Sequence, residues 1–239
     1  IVGPIVHHKD VVPQYISVEK KMISFDNIAA GLFMFSIGCF KKIILADNLT
    51  PLAQADFSNY TLLSMPEAWL ASLSYTMSYY FDLSGYADMA IGLGLLFNII
   101  LPSNFSSPYK ARNFAEYWRR WHMTLSRFLG RYIFRSIFNK EDGSIKFYSA
   151  IFITFMVSGI WHGAGWQFLI WGIINGVFVI FAHLMTRNGK SLPFLLAWAL
   201  TFTGVILTRT IFVSPDLSTA ISMIQKMFNF SDIFNIYLD

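Results

Sequence analysis

The chain has 239 residues and a net charge of +4; 55% of its residues are hydrophobic, 18% aromatic and 13% charged, with a positive mean hydropathy of +0.49. An average soluble domain carries about 25% charged residues, so this composition excludes an ordinary soluble globule and indicates a polytopic membrane protein. The single Cys39 excludes an internal disulfide and any zinc or iron–sulfur site built from clustered cysteines; in its apolar stretch it reads as a buried thiol.

The chain opens Ile1-Val2-Gly3-Pro4, without Met or the charged region of a signal peptide. It reads as an internal fragment of a longer protein: one membrane domain over residues 1–239, with helices missing at its N-terminus and its C-terminus. His7, His8 and Asp10 form a loose cluster of metal-ligand types. A solvated loop is the simpler reading, and no metal site is expected.

Charge-free runs organise the rest of the chain. Residues 27–40 form one, closed by Lys41-Lys42, and residues 68–81 another, followed by Asp82, Gly85 and Asp88. Each would make only about 21 Å of helix against ~30 Å of hydrocarbon. Either Lys41, Lys42 and Asp82 lie at or near membrane depth, or these helices are tilted, broken or re-entrant around an internal polar chamber. Asp82 and Asp88 read as a proton relay, ion ligands or caps of a turn at Gly85. Residues 89–109 form a third run, ending near Pro102 and Pro108, and read as a further membrane helix.

Residues 110–135 change character: seven basic residues stand against one acid. On one continuous helix Arg112, Glu116, Arg119, Arg120, Arg127, Arg131 and Arg135 fall in an arc of roughly 160°, opposite Phe114, Trp118, Trp121, Leu125, Phe128 and Tyr132. This pattern predicts an amphipathic interfacial helix; aromatic residues on its buried face argue against nucleic acid as its partner. The same wheel places His122 with Trp118, Leu129 and Ile133, facing inward. It is a hydrogen-bonded helix histidine, or it lines a chamber. The arginines contact anionic lipid, or some bind the phosphates of an anionic donor such as coenzyme A.

Residues 147–186 contain no Asp, Glu, Lys or Arg, yet hold His162 in the run Gly159-Ile160-Trp161-His162-Gly163-Ala164-Gly165-Trp166. An ionisable group in such a run is a functional-site candidate by default, although a satisfied core histidine competes with that reading. From residue 147 to 161 is about 22 Å of helix, and the three glycines predict a break there. Nine Lys/Arg against three acids over residues 110–146, and the basic loop 187–190, place both flanks on the cytoplasmic side. A hairpin with His162 near its tip satisfies both. His183 reads as interfacial. The last run, residues 191–208, ends at Arg209 and puts Ser214-Pro215-Asp216 outside.

The run from Phe114 through Trp118-Arg119-Arg120-Trp121-His122 to Ser126, followed about forty residues later by Ser158-Gly159-Ile160-Trp161-His162-Gly163, resembles the membrane-bound O-acyltransferase (MBOAT) family, in its alginate O-acetyltransferase-like branch. Gly3-Pro4-Ile5-Val6, residues 40–47, residues 80–94, Asn104-Phe105 and Pro108-Tyr109 support it. The chain departs from the branch after Leu129 and at Leu207-Thr208-Arg209-Thr210, which replaces an aromatic-Arg pair while keeping Arg209.

The resemblance implies an all-α polytopic bundle with broken or re-entrant helices around a central chamber. It implies His162 as the catalytic histidine and His122 as a second active-site position. The activity it implies is transfer of an acetyl group from acetyl-CoA or another acyl thioester, the co-substrate, with no bound cofactor. The acceptor is a hydroxyl of a cell-surface polysaccharide such as alginate or peptidoglycan. The setting is multi-pass in the bacterial inner membrane, with a periplasmic or secreted acetyltransferase partner. Arg119, Arg120, Trp118 and Trp161 are the candidate donor-binding residues. Burial of the imidazole favours its neutral, proton-accepting form, and His122 or the Trp161 N–H is a candidate oxyanion donor. The alternatives are D-alanyl transfer to teichoic acid, a proton-coupled transporter using His162 and Asp82, and a scaffold that anchors a secreted enzyme.

Overall fold

A computed structural model describes residues 3–231. Among them the chain is helical throughout, with no strand. The α-helices are α1 (His8–Ile16), α2 (Phe25–Cys39), α3 (Asp47–Ser58), α4 (Met65–Leu96), α5 (Phe114–Arg120), α6 (Met123–Leu129), α7 (Arg135–Ile137), α8 (Ser144–His162), α9 (Trp166–Arg187), α10 (Phe194–Val213) and α11 (Leu217–Met227). Among the described residues, four stretches are long and apolar enough to cross a membrane: Phe25–Ala53, Ser144–His162, Trp166–Arg187 and Phe194–Val213. Contacts divide the chain into two compact units. The first runs to Leu49 and adds Met77–Pro108 and Trp118–Phe128; the second holds Thr50–Thr76, Tyr109–Tyr117 and the chain from Leu129 onward.

The two short runs, residues 27–40 and 68–81, are not short helices. Residues 27–40 continue through a π-helical segment, Phe40–Ala46, into α3, and residues 68–81 lie inside the 32-residue α4. The charges do not end these helices because they neutralise one another. Lys41 Nζ lies 2.5 Å from Asp88 Oδ2, and Lys42 Nζ lies 2.6 Å from Asp82 Oδ1 and 2.8 Å from Asp47 Oδ1. Asp82 and Asp88 are thus mid-helix ion-pair partners and not caps of a turn. The π segment has wider turns than an α-helix, and within it both consecutive lysines reach α4.

Gly85 serves packing. A Cβ on Gly38 would stand 2.6 Å from the Gly85 carbonyl oxygen, and one on Gly31 2.7 Å from that of Gly92. The pairs run 31 with 92 and 38 with 85, so α2 and the C-terminal part of α4 are antiparallel, with bare contacts two turns apart. Small residues let backbones meet where lipid supplies no hydrophobic drive.

Residues 89–109 do not form a further membrane helix. The helix stops at Leu96, and Asn98 takes a left-handed conformation (φ 58°) that Asn tolerates. The Asn98 amide donates to the Lys20 and Met22 carbonyls and accepts from Asn27 Nδ2 at 2.9 Å, tying the chain reversal to the start of α2.

In the second unit, α8 and α9 form the expected hairpin, turning through Gly163-Ala164-Gly165. Its seam is made of glycine: a Cβ on Gly159 would clash with the Phe168 carbonyl oxygen, and one on Gly172 with that of Phe155. Gly172→Val therefore overpacks a backbone–backbone contact and destabilises the hairpin by about 1–3 kcal/mol, read as a lower unfolding midpoint in detergent. Elsewhere in this unit Phe57, Leu63, Ala68, Ile206, Met223 and Met227 form a buried core. Asp216 caps α11, accepting from the Thr219 N–H at 2.8 Å, and these bonds hold its carboxyl below the usual carboxylate range.

Candidate active site

His162 is the last residue of α8. Its Nδ1 lies 2.6 Å from the carbonyl oxygen of Ser158, one turn earlier. A carbonyl only accepts, so Nδ1 carries the proton and donates it. In the neutral ring Nε2 is then left with its lone pair exposed for chemistry. Three rings fix the imidazole plane: Trp161 at 4.9 Å, Trp171 at 5.1 Å and Phe212 at 5.4 Å between centroids, all edge-on. Trp171 is 2% exposed, whereas Trp161 is 47% exposed. The histidine is therefore half-buried between a packed wall and an accessible one. The turn beyond it is anchored by Gln167, whose Nε2 donates to the Pro215 carbonyl at 3.1 Å.

Spacing within the hairpin does not reveal the rest of this wall. Phe212 and Arg209 come from α10, and Tyr117 from α5. Arg209 is 3% exposed, its Cζ lies 5.5 Å from the Phe212 ring centroid, and its Nη2 donates to the Tyr117 hydroxyl at 3.4 Å. The sequence does carry a signal: an arginine inside an apolar helix is a functional candidate by default. At the end of a charge-free run, however, the same arginine looks like a helix boundary.

His122 belongs to the first unit, in a segment that is not one helix. Residues 110–135 fold as a 3-10 turn at Pro108–Lys110, then α5, α6, a π segment at Gly130–Phe134 and α7. The continuous helical wheel, and its grouping of His122 with Leu129 and Ile133, therefore does not hold. The break falls at Trp121-His122, with His122 at φ 44°. Asn104 forces it. The Asn104 carbonyl accepts from the Met123 N–H at 2.9 Å, and its Oδ1 accepts from the N–H and hydroxyl of Thr124 at 3.1 and 2.9 Å. These bonds satisfy donors at the start of a new helix. A left-handed histidine costs about 1–2 kcal/mol, and such conformations gather at functional sites. Phe105 lies 6.3 Å from His122 and packs edge-on to Trp121 at 5.0 Å, with Tyr79 stacked on Trp121 at 6.0 Å.

The other candidates differ in their surroundings. Arg119 is exposed. Arg120 donates to the Ser106 carbonyl at 3.2 Å, and the Trp118 carbonyl accepts from the Ser126 hydroxyl at 3.2 Å. His7 caps α1 by accepting from the Lys9 N–H, and no group of His, Cys, Asp or Glu able to hold a metal occurs among the described residues. His183 packs edge-on to Phe147 at 5.3 Å.

A sequence model of the membrane-bound O-acyltransferase family matches residues 1–212. The chain belongs to this family. Among similar proteins, a peptidoglycan O-acetyltransferase of Helicobacter pylori is 43% identical over 95% of this chain and 44% of its own length. A probable alginate O-acetylase, AlgI, of Pseudomonas aeruginosa is 36% identical over 96% of this chain and 44% of its own. A teichoic acid D-alanyltransferase of Bacillus subtilis is 27% identical over 81% of this chain and 51% of its own. The chain thus spans about half the length of these relatives. The MBOAT match includes both histidine-bearing segments, at residues 114–126 and 158–163.

Proposed function

We propose that this protein is a membrane O-acyltransferase that moves an acetyl group from an acyl thioester of the coenzyme A type towards hydroxyls of a cell-surface polysaccharide, with His162 as general base. One observation carries the assignment: the Nδ1–H bond to the Ser158 carbonyl, which leaves Nε2 as the acceptor at the tip of a hairpin. Nε2 takes the proton of the acceptor hydroxyl as its oxygen bonds to the thioester carbonyl carbon. The carbonyl electron pair moves onto oxygen, giving a tetrahedral oxyanion. Its collapse restores the carbonyl, breaks the carbon–sulfur bond and expels thiolate, which receives the proton back from the imidazolium. Ester and free thiol result.

Acetyl and polysaccharide are favoured over D-alanyl and teichoic acid because identity to the first two relatives is 43% and 36%, against 27% to the third. Transport through Asp82 is disfavoured, since that carboxylate is held by Lys42. Trp118, Arg119, Arg120 and Trp161 are proposed donor contacts, and an extracytoplasmic acetyltransferase is the proposed partner in a bacterial cytoplasmic membrane.

The test is acetyl transfer from labelled acetyl-CoA by the full-length protein in membranes, wild type against His162→Gln. Equal turnover overturns the base assignment. His122 has its own prediction. His122→Asn keeps a residue that tolerates the left-handed conformation but removes the imidazole, so turnover falls by about tenfold or more with the unfolding midpoint unchanged. His122→Ala also lowers the midpoint, because alanine bears the left-handed strain.

A further inference from the structure

Arg209 is a permanent cation, since guanidinium does not lose its proton in proteins, and it stands in a helix long and apolar enough to cross a membrane. Burying such a charge there is costly, and an apolar side chain of similar volume would fill the space at lower cost. Its position is fixed on two sides, by the Tyr117 hydroxyl and by the face of Phe212. Tyr117 is itself 2% exposed and stacks on Tyr109 at 6.2 Å. Phe212 in turn packs on His162 at 5.4 Å, on Trp171 at 5.1 Å and on Phe168 at 5.2 Å. A fixed positive charge therefore stands one aromatic ring from the imidazole, in surroundings that screen it poorly.

We propose that Arg209 is a positioning residue of the His162 site: its cation holds the face of Phe212, and through Phe212 the wall that sets the plane of the imidazole. The inference rests on the acyl-transfer reading above. The acceptor oxygen bonds to the carbonyl carbon, its proton goes to Nε2, and the carbonyl pair becomes the oxyanion. This step makes two charges, the imidazolium and the oxyanion, and a misaimed Nε2 slows it without weakening donor binding, so the arginine acts on kcat and leaves ground-state binding alone.

The experiment measures kcat and KM for acetyl-CoA with the full-length protein in membranes. Arg209→Met lowers kcat by about 10–100-fold, with KM within about twofold. Arg209→Lys, which restores a cation able to sit over Phe212, recovers at least about tenfold of that loss; a role in packing alone predicts that Met is tolerated at least as well as Lys. Wild-type kcat in Arg209→Met, or a loss that Lys does not relieve, overturns the proposal. Should Arg209→Met fail to accumulate, Tyr117→Phe decides: it removes only the hydroxyl that holds the guanidinium. A kcat several-fold lower at unchanged KM supports the proposal, and an unchanged kcat overturns it. His162→Gln in the same assay separates the two readings. Full turnover there removes the base assignment, whereas an inactive His162→Gln beside a fully active Arg209→Met removes the role of Arg209 alone.

Discussion

Replacing His162 by glutamine lowers acetyl transfer by about 10²–10⁴-fold, the usual contribution of a positioned general base, and leaves the protein folded. Glutamine keeps a polar, planar end that can still donate to the Ser158 carbonyl, so the bond that closes α8 survives. It has no lone pair of sufficient basicity to take a proton from a hydroxyl. The matched control is Ser158→Ala. The imidazole is held by the backbone carbonyl of Ser158 and not by its side chain, so this variant keeps turnover within about threefold. Loss of activity in Ser158→Ala with retention in His162→Gln would reverse the roles of the two residues.

Lys41→Met lowers stability by about 1–3 kcal/mol, because it leaves the part-buried Asp88 without its countercharge. The two side chains are 26% and 17% exposed and 2.5 Å apart, inside a helix pair joined by glycine contacts on the same side. Lys42 cannot take over, being occupied by Asp82 and Asp47. The double replacement Lys41→Met with Asp88→Leu recovers most of the loss, since an apolar pair of similar volume is often as stable as a buried ion pair. Thermal unfolding in detergent of the two single variants and the double variant gives the coupling. A double variant no more stable than the worse single one would show that the charges do more than neutralise each other.

Legibility in the sequence follows the physics of each signal. The turn at Gly163-Ala164-Gly165 is readable because length and glycine content agree: 19 residues of α8 are too few to leave His162 far from an edge. The continuity of the Phe25–Ala53 stretch is not, because a lysine pair in sequence looks like a boundary until its carboxylate partners, some forty residues away, are known. The break at His122 is hidden for a similar reason. Residues 114–129 have a helical pattern on both sides, and only Asn104, some twenty residues earlier, supplies the oxygens that divide it. Phe212 reaches His162 from α10 and carries Arg209 on its face, a contact between helices that no spacing rule encodes.

The π segment at Phe40–Ala46 carries one consequence for how this sequence tolerates change in length. A π turn is an α turn with one residue added. Removing a single residue from 40–46 lets the stretch wind as an ordinary α-helix, without a gap in the chain. Because the wide turn had absorbed that residue, everything beyond the cut stays close to its former phase relative to α2. The Gly31 and Gly38 contacts lie before the cut and keep their register on α4, but successive residues of an α-helix point about 100° apart, so Lys41 and Lys42 no longer both reach the carboxylates of α4. The deletion is thus silent for the span and costly for its charges, and a one-residue insertion elsewhere in α2 does not compensate it.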